Sequence, residues 1–345
     1  MEDYKYLLSK QTTEDDYYDY NNNNNNNNKL YFTYKQQGCL GIQQSRINGT
    51  FHVRYPKNSP LKVEKIDIIF SGNGMVQWNE GDKINYAETK YFEYSTCVYN
   101  EEESHLLSYS DLPFEFMIPE NIPSSILSIP SKLTNHLGKA RIYYSIKAII
   151  TKPKNLLKKS KKIVKIECPI TKYVQQKEIE NQNSVILTKK IDNYEYSILF
   201  DKTKFDQNYN NIINLPLSIE KGIIKNIKKI QISLKENYLL KVGNKTHLIK
   251  NLLFKKVINK EKISQIENNN NDNNIKYLIN CKLCLYGKRI HNSVKTDLIN
   301  IWHQVNIDIS LKGRRKIRIF EKVIDIVNAI NNDIYVIESD VEECE

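Results

Sequence analysis

The chain is poor in the residues that build disulfide frameworks, metal sites and membrane spans. Of its 345 residues, 6 are cysteine, 3 are methionine and 2 are tryptophan. No apolar run comes near the ~18 residues that a membrane-spanning helix needs. Residues 1–4 include two acids and no apolar stretch follows them, so we expect no signal peptide. The expected state of the cysteines is therefore the reduced thiol of a cytosolic protein.

The spacings of a metal centre or a catalytic site are also missing. Cys281 and Cys284 form one pair at metal-ligand spacing, but a structural zinc needs four ligands and no second pair is present. Residues three apart on a strand point to opposite faces, which favours core or edge cysteines. The six histidines are scattered, and none lies beside a nucleophile in a glycine-rich elbow. We predict no catalytic residue, no metal, no cofactor and no enzyme activity; a deep pocket with convergent titratable groups would reverse this prediction.

The basic charge of the chain is unevenly distributed. The formal net charge is +11, with −4 in residues 1–20 and −6 in residues 333–345, which leaves +21 for the body between residues 21 and 332. A basic body with acidic ends suits acidic proteins, phosphates or anionic lipid as partners. No RNP-like segment, recognition helix or zinc module accompanies the charge, so nucleic acid is not an expected partner.

The abundant residues favour strands. There are 23 tyrosines, with many isoleucines and valines, and such side chains fit a pleated surface. Apolar and polar residues alternate at 47–55, and we expect Gly72 and Gly74 to form a tight turn at positive φ. No helix of three turns is predicted, and residues 321–332 fit either a helix or a strand. Further strands are predicted at 141–150, 212–219, 225–234, 277–286 and 305–311.

These patterns predict an all-β fold of two β-sandwiches in tandem. Residues 1–28 are a polar, acidic and Asn-rich tail that we expect to be disordered. Residues 29–172 form the first sandwich, and residues 187–320 form the second. A polar linker at 173–186 separates them, and residues 321–345 form an acidic C-terminal tail.

Four segments of the first sandwich carry a recognisable pattern: residues 47–53, 63–80, 112–125 and 141–148. In this order they resemble segments of the arrestin-like family. The third segment, Leu-Pro-Phe-Glu-Phe-Met-Ile-Pro-Glu-Asn-Ile-Pro-Ser-Ser, is the most specific and is similar to the family's Phe-Pro-Phe-x-Phe-x-Leu-Pro-x-x-Leu-Pro-Ser-Ser. The second half of the chain resembles the family weakly, without its usual Pro-Gly-Glu entry. The signature positions are Gly72, Trp78, Pro113, Phe114, Phe116, Pro119, Pro123, Tyr144 and Ala148.

The third segment also has a physical interpretation of its own. Phe114, Phe116 and Ile118 share one face of a strand at period two, which predicts a core position. Proline cannot donate to a sheet ladder, so Pro113, Pro119 and Pro123 predict an edge strand or one bounded by bends. These residues identify a fold and are not expected to contact a ligand.

The resemblance implies a fold and a function together. It implies two arrestin-like, immunoglobulin-like sandwiches in a non-enzymatic cytoplasmic adaptor or scaffold. The implied partners are cytoplasmic tails of membrane proteins or proteins of the trafficking machinery, in endocytosis, protein transport or signal transduction at the plasma membrane or endosomes. The alternative is a peripheral endosomal coat scaffold, similar in fold to the arrestin-fold subunit of retromer, that binds coat subunits or anionic lipid. A Pro-Pro-x-Tyr motif for ligase recruitment is absent.

A run of lysines is the best candidate for a partner-binding or phosphate-binding site. Residues 151–165 contain no acid. Such a patch attracts phosphates and anionic head groups, at roughly 1 kcal/mol per basic residue near an anionic membrane. The alternative is a lysine-rich loop without a function. The candidate residues are Lys152, Lys154, Lys158, Lys159, Lys161, Lys162 and Lys165, with a weaker group at Lys221, Lys225, Lys228 and Lys229.

Overall fold

The protein is all-β in the residues that its structure describes, with one short helix, which confirms the predicted fold class. This computed structural model describes residues 29–101, 106–126, 139–153, 161–192, 194–207, 212–220, 226–259, 264–265, 276–284, 290–313 and 316–330. The chain divides into two compact units. Residues 1–75, 88–128 and 140–172 belong to the first unit, and residues 76–87, 129–139 and 173–345 belong to the second.

The described residues of the first part of the chain contain the beginnings of nine strands. The last part of β4 and the first part of β5 lie within residues 76–87, which group with the second unit. The strands are β1 (Leu30–Gln37), β2 (Ser45–Val53), β3 (Leu61–Lys62), β4 (Lys65–Glu80), β5 (Lys83–Asn100), β6 (Leu106–Leu107), β7 (Ser110–Ile118), β8 (Lys139–Thr151) and β9 (Lys161–Glu167).

The first unit is a sandwich of two main sheets. One has the order β1-β2-β7, the other the order β5-β4-β8-β9, and β3 pairs with β6. The predicted face of β7 is correct, because Phe114, Phe116 and Ile118 are all buried. The ring of Phe116 lies 5.7 Å from that of Phe70 on β4, so apolar side chains from both sheets meet in one core. Of the two predicted alternatives, an edge strand or one bounded by bends, the edge agrees with its pairing to β2 alone among the described strands.

Where the structure describes the second unit, it contains twelve further strands and the helix. They are β10 (Tyr173–Gln175), α1 (Gln176–Glu180), β11 (Val185–Ile191), β12 (Tyr194–Phe200), β13 (Lys204–Asp206), β14 (Ile212–Glu220), β15 (Ile227–Val242), β16 (Lys245–Asn259), β17 (Ser264–Gln265), β18 (Lys276–Cys284), β19 (Val294–Lys295), β20 (Ile299–Leu311) and β21 (Ile317–Ile330).

Two sheets face each other in the second unit as well. One has the order β11-β12-β14-β18-β17; the other has the order β10-β21-β20-β15-β16, with β13 also on β21 and β19 on β20. Their shared core includes Phe200 and Leu215 from the first of these sheets, and Ile232 and Ile307 from the second. Period-two runs of isoleucine and leucine therefore place one face of each strand in the core.

The predicted turn at Gly72 and Gly74 is wrong. Both residues lie inside β4, and neither has a positive φ. Glycine is needed at position 72 for space, because an added Cβ would lie 2.6 Å from ring carbons of Phe92 and Tyr144. The chain instead turns at Gly81, which has a φ of +61° between β4 and β5.

Two of the predicted boundaries also need correction. The segment 173–186, expected to be a linker, contains β10, α1 and the start of β11, and it buries Ile179. The segment expected to begin a tail at 321 instead continues β21 to Ile330, where the strand pairs with β20, β10 and β13. The undecided residues up to 330 are therefore strand, because Ile324 and Ile326 point into the core. Residues 1–28 and 331–345 lie outside the described residues.

Candidate protein-interaction surface

Strand β16 forms one edge of the larger sheet in the second unit. It pairs with β15 from Lys245 to Asn259, and with no other strand in the described part of the chain. A two-residue turn precedes it, in which Gly243 adopts a φ of +57° with open space around its Cα. Glycine suits this position because it reaches positive φ without a steric penalty. An edge strand presents a row of unpaired backbone N–H and C=O groups, the template on which another strand can add.

The side chains of β16 alternate between the core and the surface. Ile249, Leu253 and Ile258 are buried. Leu248 and Leu252 point outward and are 46% and 52% exposed. A β-bulge lies at Leu253, because Phe254 pairs with Leu234 while Leu252 pairs with the next residue, Lys235. The edge is thus long and exposes large apolar side chains to solvent. Soluble proteins generally avoid long apolar edge strands unless the edge binds a partner.

This strand is also strongly basic. It carries Lys245, Lys250, Lys255 and Lys256 and no acidic residue. Lys245 pairs with Glu80 at 3.0 Å, a contact inside the second unit. Lys250 and Lys255 are exposed. An extended partner with acidic side chains would therefore meet a complementary charge along this edge.

Aromatic stacking holds the beginning of β16. The ring of His247 stacks on the indole of Trp78, with centroids 5.6 Å apart and planes within 15°. Trp78 is buried and belongs to the segment 76–87 of the second unit. This signature tryptophan therefore fixes the start of the edge strand.

A buried carboxylate lies beneath the same strand. Glu236 on β15 is fully buried. Its Oε1 accepts a hydrogen bond from the backbone N–H of His291 at 2.8 Å, and its Oε2 accepts one from Asn251 of β16 at 3.2 Å. Tyr238 donates its hydroxyl proton to the same Oε2. A buried charge is tolerated only when donors of this kind surround it.

Two histidines complete this cluster. His303 Nε2 and His291 Nδ1 lie 3.5 Å and 3.3 Å from Glu236 Oε1. Ser293 Oγ accepts the N–H of Ile326 at 3.0 Å and lies 3.1 Å from His303 Nδ1. The imidazole of His303 thus contacts Ser293 through Nδ1 and faces Glu236 through Nε2.

The electrostatics of the cluster follow from these contacts. Burial acts to raise the pKa of Glu236, but hydrogen bonds from His291, His303 and Tyr238 outweigh it and hold the pKa well below its ordinary value. Burial, and then the charge of Glu236, raise the pKa of Tyr238. Glu236 therefore stays ionised and joins β15, β16, β20 and the segment around His291.

The predicted lysine patch is only partly described. Lys154, Lys158 and Lys159 lie outside the described residues, whereas Lys152 follows β8, and Lys161, Lys162 and Lys165 lie on β9. Lys165 is partly buried, with its ammonium 5.2 Å from the centroid of the Tyr143 ring, and burial lowers its pKa. Burial, and then the charge of Lys29, lower the pKa of Lys162. Among the described members, Lys161 is the exposed one. Of the weaker group, Lys221 and Lys225 lie outside the described residues, and Lys228 and Lys229 lie on β15.

One arrangement of catalytic residue types escaped the sequence patterns. His52 Nε2 lies 2.8 Å from Thr33 Oγ1, and its Nδ1 lies 2.6 Å from Asp111 Oδ1, beside an open hollow of about 650 Å³ that Thr33 and Thr50 help to line. Asp111 also pairs with Arg54 and is 60% exposed. A carboxylate that is shared with arginine and largely hydrated polarises an imidazole weakly. We interpret the contacts among Thr33, His52 and Asp111 as structural hydrogen bonds that link β1, β2 and β7.

No protein-family model matches this sequence, and no curated protein matches it. The arrestin-like resemblance is therefore still a prediction. No helix in the described segments is long and apolar enough to cross a membrane. Within those segments, no group of three or more His, Cys, Asp or Glu side chains is placed to hold a metal. Cys281 and Cys284 lie on β18.

The remaining signature positions have structural environments. Tyr144 is buried and donates its hydroxyl to the carbonyl oxygen of Pro123 at 2.5 Å. Ala148 is buried in β8, and Pro113 lies on the edge strand β7 opposite Thr50. Pro119 directly follows β7. These residues lie within the first unit, and the exposed edge β16 is the candidate site that sequence patterns missed.

Proposed function

We propose that this protein is a non-enzymatic cytoplasmic adaptor that binds extended segments of other proteins. The proposed partners are cytoplasmic tails of membrane proteins, or proteins of the trafficking machinery, and the proposed place is the plasma membrane or the endosome. The arrestin-like resemblance of residues 38–170 motivates this choice of partners. The single observation that supports binding is the edge of β16, which is long, basic and lined outward by leucines.

Strand addition gives such an edge its mechanism. An extended segment hydrogen-bonds to the outward N–H and C=O groups of the edge, and alternate side chains pack on one face of the sheet. Leu248 and Leu252 offer the apolar contacts, since each is about half exposed before binding. Covering the exposed half of one leucine stabilises a complex by about 0.7–1.5 kcal/mol, which is roughly three- to tenfold in affinity.

The alternative is a coat scaffold that binds other coat subunits or anionic lipid. Lys161, exposed on the edge strand β9, favours contact with an anionic surface. The half-buried Lys165 reduces the charge that this surface displays. The two functions differ in partners: an adaptor retains many different tails, and a scaffold retains a fixed set of subunits.

The test uses the full chain and a panel of immobilised cytoplasmic tails. Binding is measured by biolayer interferometry for the unaltered protein and for Leu252→Ser. Val323→Ser is the matched control, because Val323 is similarly exposed on β21, away from the edge. We expect some tails to bind, Leu252→Ser to weaken their binding about three- to tenfold, and Val323→Ser to leave it unchanged.

Backbone pairing is tested on the peptide. A tail that binds is resynthesised with N-methyl groups at alternate amides, which removes the donors on one edge of the strand. One of the two alternating patterns should abolish binding while the other leaves it intact. Failure of every tail to bind, or equal effects of Leu252→Ser and Val323→Ser, would refute the proposed function.

A further inference from the structure

We propose that the first half of β16 selects partner segments of the form apolar–x–acidic–x–apolar, where x is any residue. This inference rests on the proposed function and names the partner that the edge prefers. It depends on three side chains in a row, Leu248, Lys250 and Leu252, all exposed on the same face of the strand.

The geometry of this row comes from the pairing with β15. Leu248 is opposite Leu239, Lys250 is opposite Asn237, and Leu252 is opposite Lys235. Successive outward side chains on a strand lie about 7 Å apart, and an added strand repeats the same spacing. Partner residues opposite the row therefore have the same period, with two positions against leucine and one against lysine.

The bulge ends this row. At Leu253 the strand has one extra residue relative to β15. The exposed side chains are therefore at even positions before the bulge, as at Leu252, and at odd positions after it, as at Lys255 and Val257. A straight partner strand that is in register at Leu248 and Leu252 is out of register beyond them. The selected segment is therefore short and centred on Lys250.

The order of the motif does not depend on the direction of the partner. Lysine occupies the centre of the row and leucine occupies both ends. A parallel and an antiparallel partner therefore face the same order of side chains. Opposite charges directly across two strands stabilise the pair, and like charges destabilise it. An acidic residue at the centre of the segment is thus favoured in either orientation.

Charge also distinguishes this partner from other occupants of the edge. A second copy of β16 would bring lysines against lysines, since the strand has four lysines and no acid. An anionic membrane would satisfy the lysines but needs no alternating leucines. The combination of two leucines with a central lysine therefore favours an extended acidic and apolar protein segment.

The decisive experiment is a charge swap. Short blocked peptides carry leucine, glutamate and leucine at alternate positions with serines between them, and a second peptide has lysine in place of glutamate. Both are titrated by fluorescence anisotropy against the full unaltered chain and against Lys250→Glu. We expect the glutamate peptide to bind the unaltered chain about three- to tenfold more tightly than the lysine peptide, and Lys250→Glu to invert the preference.

Two controls accompany the swap. Lys295→Glu reverses an exposed lysine on β19, which pairs with β20 away from the β16 edge, and should leave the preference unchanged. A peptide with adjacent rather than alternate leucines should bind about tenfold more weakly, because one leucine then points away from the row. Thermal melts of each variant show whether the fold is retained, and the inversion itself cannot arise from unfolding.

The outcomes separate this inference from the proposed function. Equal binding of both peptides to the unaltered chain and to Lys250→Glu, with the loss on Leu252→Ser still present, overturns the motif but leaves the edge as the binding site. Loss of all tail and peptide binding overturns both. Preferential binding to phosphatidylserine vesicles that displaces the glutamate peptide overturns the choice of a protein segment. Self-association of the full chain that Lys250→Glu strengthens overturns the choice of a foreign partner.

Discussion

Replacing the buried Glu236 by glutamine should destabilise the second unit. The carboxylate accepts hydrogen bonds from the backbone N–H of His291, from Asn251 and from Tyr238, and it faces His303. Glutamine has nearly the same shape but one acceptor oxygen. Its NH₂ group must therefore face either the N–H of His291 or the donors of Tyr238 and Asn251.

The size of the effect follows from this mismatch. A buried donor that loses its acceptor costs about 1–3 kcal/mol, and disruption of a buried charged cluster costs about 3–5 kcal/mol. We expect Glu236→Gln to lower the free energy of unfolding by about 3 kcal/mol. For a unit of 150–250 residues, each kcal/mol corresponds to roughly 2–4 °C, so the melting temperature should fall by about 6–12 °C.

Calorimetry on the full chain measures this shift, and Glu178→Gln is the matched control. Glu178 is exposed at the start of α1, so the same chemical change there should alter the melting temperature by less than about 2 °C. If Glu236→Gln and Glu178→Gln have the same melting temperature, the assignment of a buried, ionised carboxylate is refuted.

The same cluster predicts the sign of a pH dependence. The pKa of Glu236 is lowered in the folded state, so its contribution to stability is complete above the pKa of an unfolded glutamate, about 4.3. It is lost progressively as the pH falls below that value toward the lower folded pKa. The difference in melting temperature between the unaltered protein and Glu236→Gln should therefore shrink below about pH 4.3, and a difference that stays constant down to pH 3 would contradict the lowered pKa.

Two further predictions concern the first unit. Gly72→Ala should destabilise it by about 1–3 kcal/mol, because the added Cβ meets ring carbons of Phe92 and Tyr144 at 2.6 Å; a melting temperature within about one degree of the unaltered protein would contradict this packing. Cys97 is exposed, whereas Cys168 is buried and burial raises its pKa to about 12, so iodoacetamide at pH 8 should alkylate Cys97 before Cys168, as peptide mapping by mass spectrometry will show.

The elements that the sequence predicts well are those with local, strict alternation. Phe114, Phe116 and Ile118 define their own face, and the adjacent prolines restrict their strand to an edge. Nothing outside the segment is needed to interpret it. The all-β class follows from many such segments, since β-branched and aromatic side chains at period two fit a half-buried sheet.

The errors occur where the environment, rather than the local pattern, determines the structure. Gly72 and Gly74 have the composition of a turn, yet at Gly72 the reason for glycine is the approach of two aromatic rings from other strands. The polar segment after residue 172 has few apolar residues, but its short strand β10 pairs with β21, far away in sequence. Local composition contains no information about either neighbour.

The candidate site was hidden for related reasons. Lysines interrupt the apolar runs of β16, so the strand has no simple hydrophobic signature although Leu248 and Leu252 keep the right spacing. Its position at an edge depends on the order of all strands in the sheet. Glu236 is an ordinary residue in a polar stretch until the fold brings His291 and His303 to it.

The pairing of β21 has a consequence for synthesis of the chain on the ribosome. β10 and β13, near the beginning of the second unit, both lie parallel to this late strand, and the N–H of Ala329 donates to Asp206 at 3.1 Å. Neither early strand finds its partner until translation passes residue 330, which takes roughly ten to thirty seconds from residue 173 at about 5–20 residues per second. During that interval the nascent second unit exposes apolar strands, so a stop codon before β21 should yield a product that chaperones retain or proteases remove.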